Sequence, residues 1–201
     1  MMNNRDLTFH GLAIKRHSTA AVIAEHIGLP APDVEDILRE AVQSGRAVFA
    51  RDAYTINALA RLSLEARYSR YFLELRSDAA FVQPYEQFEL INKNLKQVIT
   101  DWQTIDVGGS KVPNEHNDKD YDADIIDRLG AVHEQVETIL QRLAQKIPRL
   151  AVYERKLLKA LELVEDGEIE WVSDIRRESY HTVWFELHED LLRIMGRQRE
   201  E

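Results

Sequence analysis

The chain of 201 residues contains no cysteine, which excludes disulfide bonds, thiolate zinc sites and cysteine nucleophiles. It also lacks an apolar run of the length that a membrane-spanning helix requires. The first nine residues do not show the basic-then-apolar pattern of a signal peptide. We therefore expect a soluble, cytoplasmic protein without membrane contact.

Positive charge is scarce as well. The chain has 26 basic and 35 acidic residues, for a net charge of -9. Residues 1–64 hold seven of each sign, so the remainder of the chain carries the whole net charge. Neither part offers the basic excess that neutralises nucleic-acid phosphates, and nucleic-acid binding is disfavoured.

Hydrophobic periodicity predicts a mainly α protein, with an N-terminal winged helix-turn-helix domain in residues 1–57 and a helical bundle domain in residues 58–201. In the first domain Thr19 is a predicted helix cap, Gly28 a predicted stop and Pro32 a first-turn residue of the third helix. A short hairpin follows, with Arg51 and Asp52 at its turn.

This order of elements resembles the winged helix-turn-helix domain of many bacterial regulators. In DNA-binding members the third helix enters the major groove. Here that helix carries Asp33, Glu35, Asp36 and Glu40 against Arg39 alone, which a duplex would repel. Protein contact is therefore the favoured use of the domain. The alternative is DNA binding, with contacts from Arg39, Arg46 and Arg51.

The second domain is predicted to contain five helical segments and one irregular stretch. Pro84 should interrupt the helical pattern, and the polar stretch Thr104–Asp120 should be a long loop, either functional or a plain surface excursion. The predicted helices span residues 57–83, 84–102, 121–146, 149–165 and 174–195.

Near the C-terminus, residues 179–192 combine two histidines with large aromatic side chains. At helical spacing these groups share one stripe, which predicts either a polar pocket or a hydrogen-bonded pair of core histidines. The residues of the stripe are Tyr180, His181, Trp184, Phe185, His188, Leu191 and Leu192. By contrast, His10 and His17 on the first helix, and His133 beside two glutamates, are expected to be exposed.

Three blocks of sequence together resemble a family of bacterial winged-helix-plus-helical proteins: residues 100–103, residues 117–118 with 121–122, and residues 179–192. Similar sequences look like extensions or stand-alone companions of phosphoenolpyruvate-utilising enzymes related to pyruvate phosphate dikinase. The resemblance implies a partner that is the phosphoenolpyruvate-utilising or ATP-dependent phosphotransferase subunit.

The catalytic machinery of such enzymes is missing from this chain. Gly108-Gly109-Ser110 lacks the lysine and the preceding strand of a phosphate loop, and no phosphohistidine domain is recognisable. The chain is therefore expected to be an accessory or acceptor-binding component, and not a complete phosphotransferase by itself.

Phosphoryl transfer to a hydroxyl needs a base and exclusion of water, and His181 or His188 is the candidate catalytic base. The aromatic side chains would suit a small hydroxylated ligand such as a phenol. The candidate ligand-binding residues are Asp101, Trp102, Asn117, Asp118, Tyr180, Trp184 and Phe185.

A metal site is disfavoured, because helix rise separates His181 and His188 by about 10 Å. His116 and Asp118 are the nearest further donors, and we expect neither a metal nor a cofactor. Two other functions remain open: a transcriptional regulator whose helical domain senses an effector and forms a homodimer, and a structural interaction protein without a ligand.

Overall fold

A computed structural model describes residues 2–199 of the protein. Within this range the chain forms eight α-helices and two antiparallel two-stranded sheets, so the prediction of a mainly α fold is confirmed. No helix in the described part is long and apolar enough to cross a membrane. The chain divides into two compact units, one up to Asp78 together with the segment from His188 onward, and the other Ala79–Leu187.

The first unit begins with three helices and a hairpin. Its predicted caps are confirmed, because the Thr19 side chain accepts the Val22 amide at the start of the second helix and Gly28 ends that helix with φ 73°. The elements are α1 (Asn4–Lys15), α2 (Ala20–Ile27), α3 (Ala31–Gln43), β1 (Ala47–Ala50), β2 (Ala53–Ile56) and α4 (Ala58–Phe72).

The hairpin of β1 and β2 pairs Ala47 with Ile56 and Ala50 with Ala53. Arg51 and Asp52 adopt positive φ values of 51° and 59°, as a two-residue turn between right-twisted strands requires. Ser18, between α1 and α2, forms an additional antiparallel bridge to Tyr54 of β2. The predicted hairpin is therefore confirmed.

Close contact between α1 and α2 organises the core of this unit. A Cβ atom at Gly11 would lie 2.7 Å from Cγ2 of Ile27 and 3.1 Å from Cγ2 of Ile23, so only glycine permits this approach. The apolar residues around the contact are fully buried: Leu12, Ile23, Val34, Leu38 and Leu64.

The second unit is built on two long helices that pack against each other along much of their length. Their apolar stripes, which include Phe81 and Phe88 on one side and Leu129 and Val136 on the other, are fully buried. The elements are α5 (Ala79–Gln103), β3 (Thr104–Val107), β4 (Ser110–Pro113), α6 (Lys119–Lys146), α7 (Ala151–Glu165) and the first half of α8 (Tyr180–Met195).

Three predicted helix boundaries are wrong. The helix predicted over residues 57–83 ends at Phe72, and the next α-helix begins at Ala79. Pro84 lies inside α5, near the start of the helix. The hydrogen bond that its missing N–H cannot make is therefore one of the first in the helix, and the rest of the helix is unaffected. Helix α8 begins at Tyr180 and not at residue 174. Asp174 instead accepts the backbone N–H of Arg176 at 2.8 Å, a local bond that competes with helix formation. The side chain and backbone N–H of Arg176 lower the pKa of Asp174 to about 2.

The stretch 104–120, predicted as an irregular loop, is also different. Residues 104–113 form the β3–β4 hairpin, in which Thr104 pairs with Pro113 and Val107 with Ser110, and only residues 114–118 are irregular as predicted. Gly108 and Gly109 turn the chain with φ values of 63° and 84°. The glycine pair was a hairpin signal, but each strand has only four residues and most of their side chains are exposed, so the apolar alternation of Ile105 and Val107 is too short to predict a strand.

Candidate functional site

In the second unit, Tyr180 and Trp184 of the predicted stripe of α8 are buried and hydrogen-bonded. Nε1 of Trp184 donates to Oδ1 of Asn92 on α5 at 2.9 Å, and its ring stacks on Phe88 with centroids 4.9 Å apart. Tyr180 is also fully buried, and its ring stacks on Trp184 at 6.1 Å. Tyr180 and Trp184 are therefore fixed parts of the core of this unit.

Tyr180 also contacts a histidine that was predicted to be exposed. The Tyr180 hydroxyl lies 3.3 Å from Nδ1 of His133 on α6, and both side chains are buried. Burial raises the pKa of Tyr180 and lowers that of His133. The prediction for His133 is wrong because it continues the apolar stripe of α6, four residues after Leu129.

The two candidate bases have different environments. His181, in the first turn of α8, is half-buried, and its backbone N–H donates to the carbonyl of Val172. His188, two turns later, is buried and belongs to the first unit. Phe185 is half-buried. Of the two imidazoles, His181 is the more accessible to a ligand.

The second polar cluster of this unit joins the β3–β4 hairpin to the ends of α5 and α6. The ring of His116 packs on Trp102 with centroids 4.2 Å apart, and its Nδ1 lies 3.1 Å from a carboxylate oxygen of Asp122. The amide of Asn114 donates to the same carboxylate at 2.9 Å and to the Trp102 carbonyl at 3.1 Å. Trp102 is thus brought together with His116.

The remaining predicted ligand residues make local contacts. Asp101 pairs with Arg128 of α6 at 2.7 Å, and Asp118 caps α6 by accepting the Tyr121 amide at 3.1 Å. Asn117 donates to Glu115 at 3.3 Å. Within residues 2–199, no group of three histidine, aspartate or glutamate side chains is arranged to hold a metal ion.

The first unit contains a buried polar cluster that sequence analysis missed. Nδ1 of His10 lies 2.8 Å from the Tyr68 hydroxyl, and Nε2 lies 2.9 Å from a carboxylate oxygen of Asp190. The cluster joins α1, α4 and the second half of α8, and the three side chains are buried. The prediction that His10 is exposed is wrong because α1 is covered on nearly all sides; His17, beyond the end of α1, is exposed.

No known protein family, curated protein or solved structure matches this chain. Its function is therefore argued from the geometry and chemistry of its own residues.

The exposed surface of α3 and the neighbouring side chain of β1 form an acidic–aromatic face, defined by Asp33, Glu35, Asp36, Arg39, Glu40 and Phe49. Arg39 pairs with Glu35 at 3.0 Å, and the Tyr54 hydroxyl donates to the same carboxylate at 2.8 Å. Phe49 is 50% exposed. The basic side chain on α3 is thus held by a carboxylate. The other candidate DNA contacts, Arg46 and Arg51, are exposed.

Proposed function

We propose that the protein is an accessory or acceptor-binding component of a phosphoenolpyruvate- or ATP-dependent phosphotransferase system. In this proposal the first unit is a winged helix that contacts a protein partner, and the second unit is a helical bundle domain that binds a small hydroxylated ligand. The resemblance of residues 100–103, 117–118 with 121–122, and 179–192 to companions of such enzymes suggests the system.

The acidic–aromatic face carries the proposal of protein contact. A helix that reads a major groove presents basic and amide side chains to the phosphates and bases. Here α3 presents four carboxylates, and its Arg39 is engaged by Glu35. The neighbouring Phe49, which is 50% exposed, supplies apolar surface, as the centre of a protein interface does.

The environment of His181 supports the acceptor-binding role. A general base must be reached by the hydroxyl whose proton it accepts, and the half-buried ring of His181 meets that condition better than the buried ring of His188. Tyr180 and Trp184, fixed by His133 and Asn92, hold the first turns of α8 in place beside it.

The test is reconstitution with a dikinase-like enzyme from the same organism, following phosphoryl transfer from phosphoenolpyruvate or ATP to phenol. We expect turnover to require this chain and Phe49→Ala to weaken the complex by about tenfold or more, as loss of an aromatic anchor does. Leu158→Ala, an exposed apolar residue of α7, is the matched control. Full turnover without this chain would refute the proposal.

The second candidate function is a transcriptional regulator, favoured by the order of α1–α3 and the hairpin and by the exposed Arg46 and Arg51. Selection from a random duplex library at moderate salt separates the two functions. The accessory role predicts weak binding without sequence preference. Enrichment of a defined palindrome would favour the regulator.

A further inference from the structure

The first unit contains a cavity of about 600 Å³ between the start of α1, the end of α3 and α4. Four arginines line it, namely Arg5, Arg46, Arg67 and Arg70, against a single carboxylate, that of Asp6. The lining therefore carries a net charge of +3 in a chain whose net charge is -9. Positive charge gathered in this way marks a binding site for an anion.

One of the arginines is held rigidly. Arg67 donates through Nε and Nη2 to the two carboxylate oxygens of Asp6, at 2.9 Å and 2.7 Å, and through Nη1 to Ser63 at 2.9 Å. The Tyr71 hydroxyl donates to Asp6 as well, at 2.5 Å. Asp6 is buried and thus fixes one wall of the cavity.

Two other arginines of the cavity, Arg46 and Arg70, are not paired with a carboxylate in the described part of the chain. Within residues 2–199, neither Arg46 nor Arg70 lies within ion-pair distance of a carboxylate. Arg70 instead lies over the ring of Tyr71, 5.6 Å from its centroid, and Arg5 makes a longer contact of 3.5 Å with the exposed Glu40. Among the described residues, no carboxylate therefore competes with a ligand for the guanidinium groups of Arg46 and Arg70.

The first turn of α4 adds to the positive potential of the cavity. Asn57, Leu59 and Ala60 also line the cavity, and the N-terminal end of a helix attracts anions. Leu59, which is 75% exposed, provides apolar surface beside the charges. The volume lies in the range of small-molecule sites, and the concave shape suits a compact ligand better than a duplex.

We infer that this cavity binds a small phosphorylated molecule, with a phosphate or pyrophosphate group held by Arg46 and Arg70 and an organic part against Leu59. Planar guanidinium groups pair with phosphate and with carboxylate oxygens through two parallel hydrogen bonds. Pyrophosphate carries more negative charge and more acceptor oxygens than a single carboxylate, which suits a lining of net charge +3. The inference is independent of the proposed phosphotransferase role, since it rests on residues of α1, the α3–β1 connection and α4.

The experiment is calorimetric titration of the full chain with inorganic pyrophosphate at low salt. Wild-type protein should bind it saturably, and Arg46→Gln and Arg70→Gln should each raise the Kd about tenfold or more, because each removes a charge-assisted contact. The matched control is Arg155→Gln, an exposed arginine of α7 that donates only to the carbonyl of Ala151 in its own helix. Its Kd should equal that of wild type.

Four results would overturn the inference. The first is the absence of saturable pyrophosphate binding at millimolar concentration, and the second is an equal loss of affinity in Arg155→Gln. The third is tighter binding of citrate than of pyrophosphate, which would identify a carboxylate site. The fourth is tighter binding of a duplex oligonucleotide that depends on Arg46, which would identify a contact for nucleic-acid phosphate. Circular dichroism of each variant confirms that it is folded.

Discussion

Replacing Asp190 by alanine should destabilise the first unit strongly. The Asp190 carboxylate is fully buried and lies 2.9 Å from Nε2 of His10, which is itself fully buried. Asp190→Ala therefore removes the hydrogen bond between the Asp190 carboxylate and His10. It also leaves the buried Nε2 of His10 without this carboxylate.

The magnitude follows from these two losses. A hydrogen bond to a charged group contributes about 1.5–3 kcal/mol, and loss of a partner for a buried polar atom costs about 1–3 kcal/mol. We expect the free energy of unfolding to fall by about 3–5 kcal/mol, as for other broken buried pairs. Tyr68→Phe removes only a neutral hydroxyl, 2.8 Å from Nδ1 of His10, and should cost about 1–2 kcal/mol.

The assay is urea denaturation followed by far-ultraviolet circular dichroism, with hydrogen exchange of α1 and α4 as a local measurement in this unit. Asp36→Ala, an exposed aspartate of α3, is the matched control and should stay within about 0.5 kcal/mol of wild type. If Asp190→Ala unfolds at the same urea concentration as Asp36→Ala, with unchanged exchange in α1, the cluster does not stabilise the fold.

Three further predictions concern other parts of the chain. Gly11→Ala should lower the free energy of unfolding by about 1–3 kcal/mol, because its Cβ would lie 2.7 Å from an isoleucine methyl. Gly130→Ala, whose Cβ would have nothing within 4 Å, should raise it by about 0.5–1 kcal/mol. Equal melting temperatures of the two variants would contradict this prediction. Burial lowers the pKa of His133 below its usual 6.5, so its contribution to stability is complete above that pH and declines as the pH falls. The melting temperature of wild type should therefore fall more steeply on acidification than that of His133→Gln. Parallel curves of melting temperature against pH would exclude the effect. In the reconstituted system His181→Ala should lower turnover about a hundred- to ten-thousandfold without unfolding the protein. His188→Ala, at a buried position, should instead lower the melting temperature. Unchanged turnover in folded His181→Ala would exclude His181 as the base.

Local sequence signals predicted most of the first three helices and both ends of α6. Thr19, Gly28 and the pair Arg51–Asp52 act through their own backbone geometry, which neighbouring residues determine. The same local logic misjudged Pro84, because the penalty of a proline depends on how far the helix has already extended.

The candidate site was only partly accessible to this reasoning. The stripe of α8 was predicted to face inward, and Tyr180 and Trp184 are buried. Their partners, His133 and Asn92, lie 47 and 92 residues away and carry no mark in the sequence that links them to α8. His133 could have been found from its place on the apolar stripe of α6.

The sequence by itself determined the mainly α character of the chain, the absence of thiol chemistry and the acidic surface of α3. Helix formation follows from the conformational preferences of neighbouring residues, and the other two properties follow from composition. Tertiary structure alone decided which polar groups meet. His10 and Asp190 are 180 residues apart, and the arginines of the cavity come from α1, α4 and the connection after α3. Such juxtapositions depend on how the helices pack, and packing is set by the sum of many apolar contacts that no local pattern encodes.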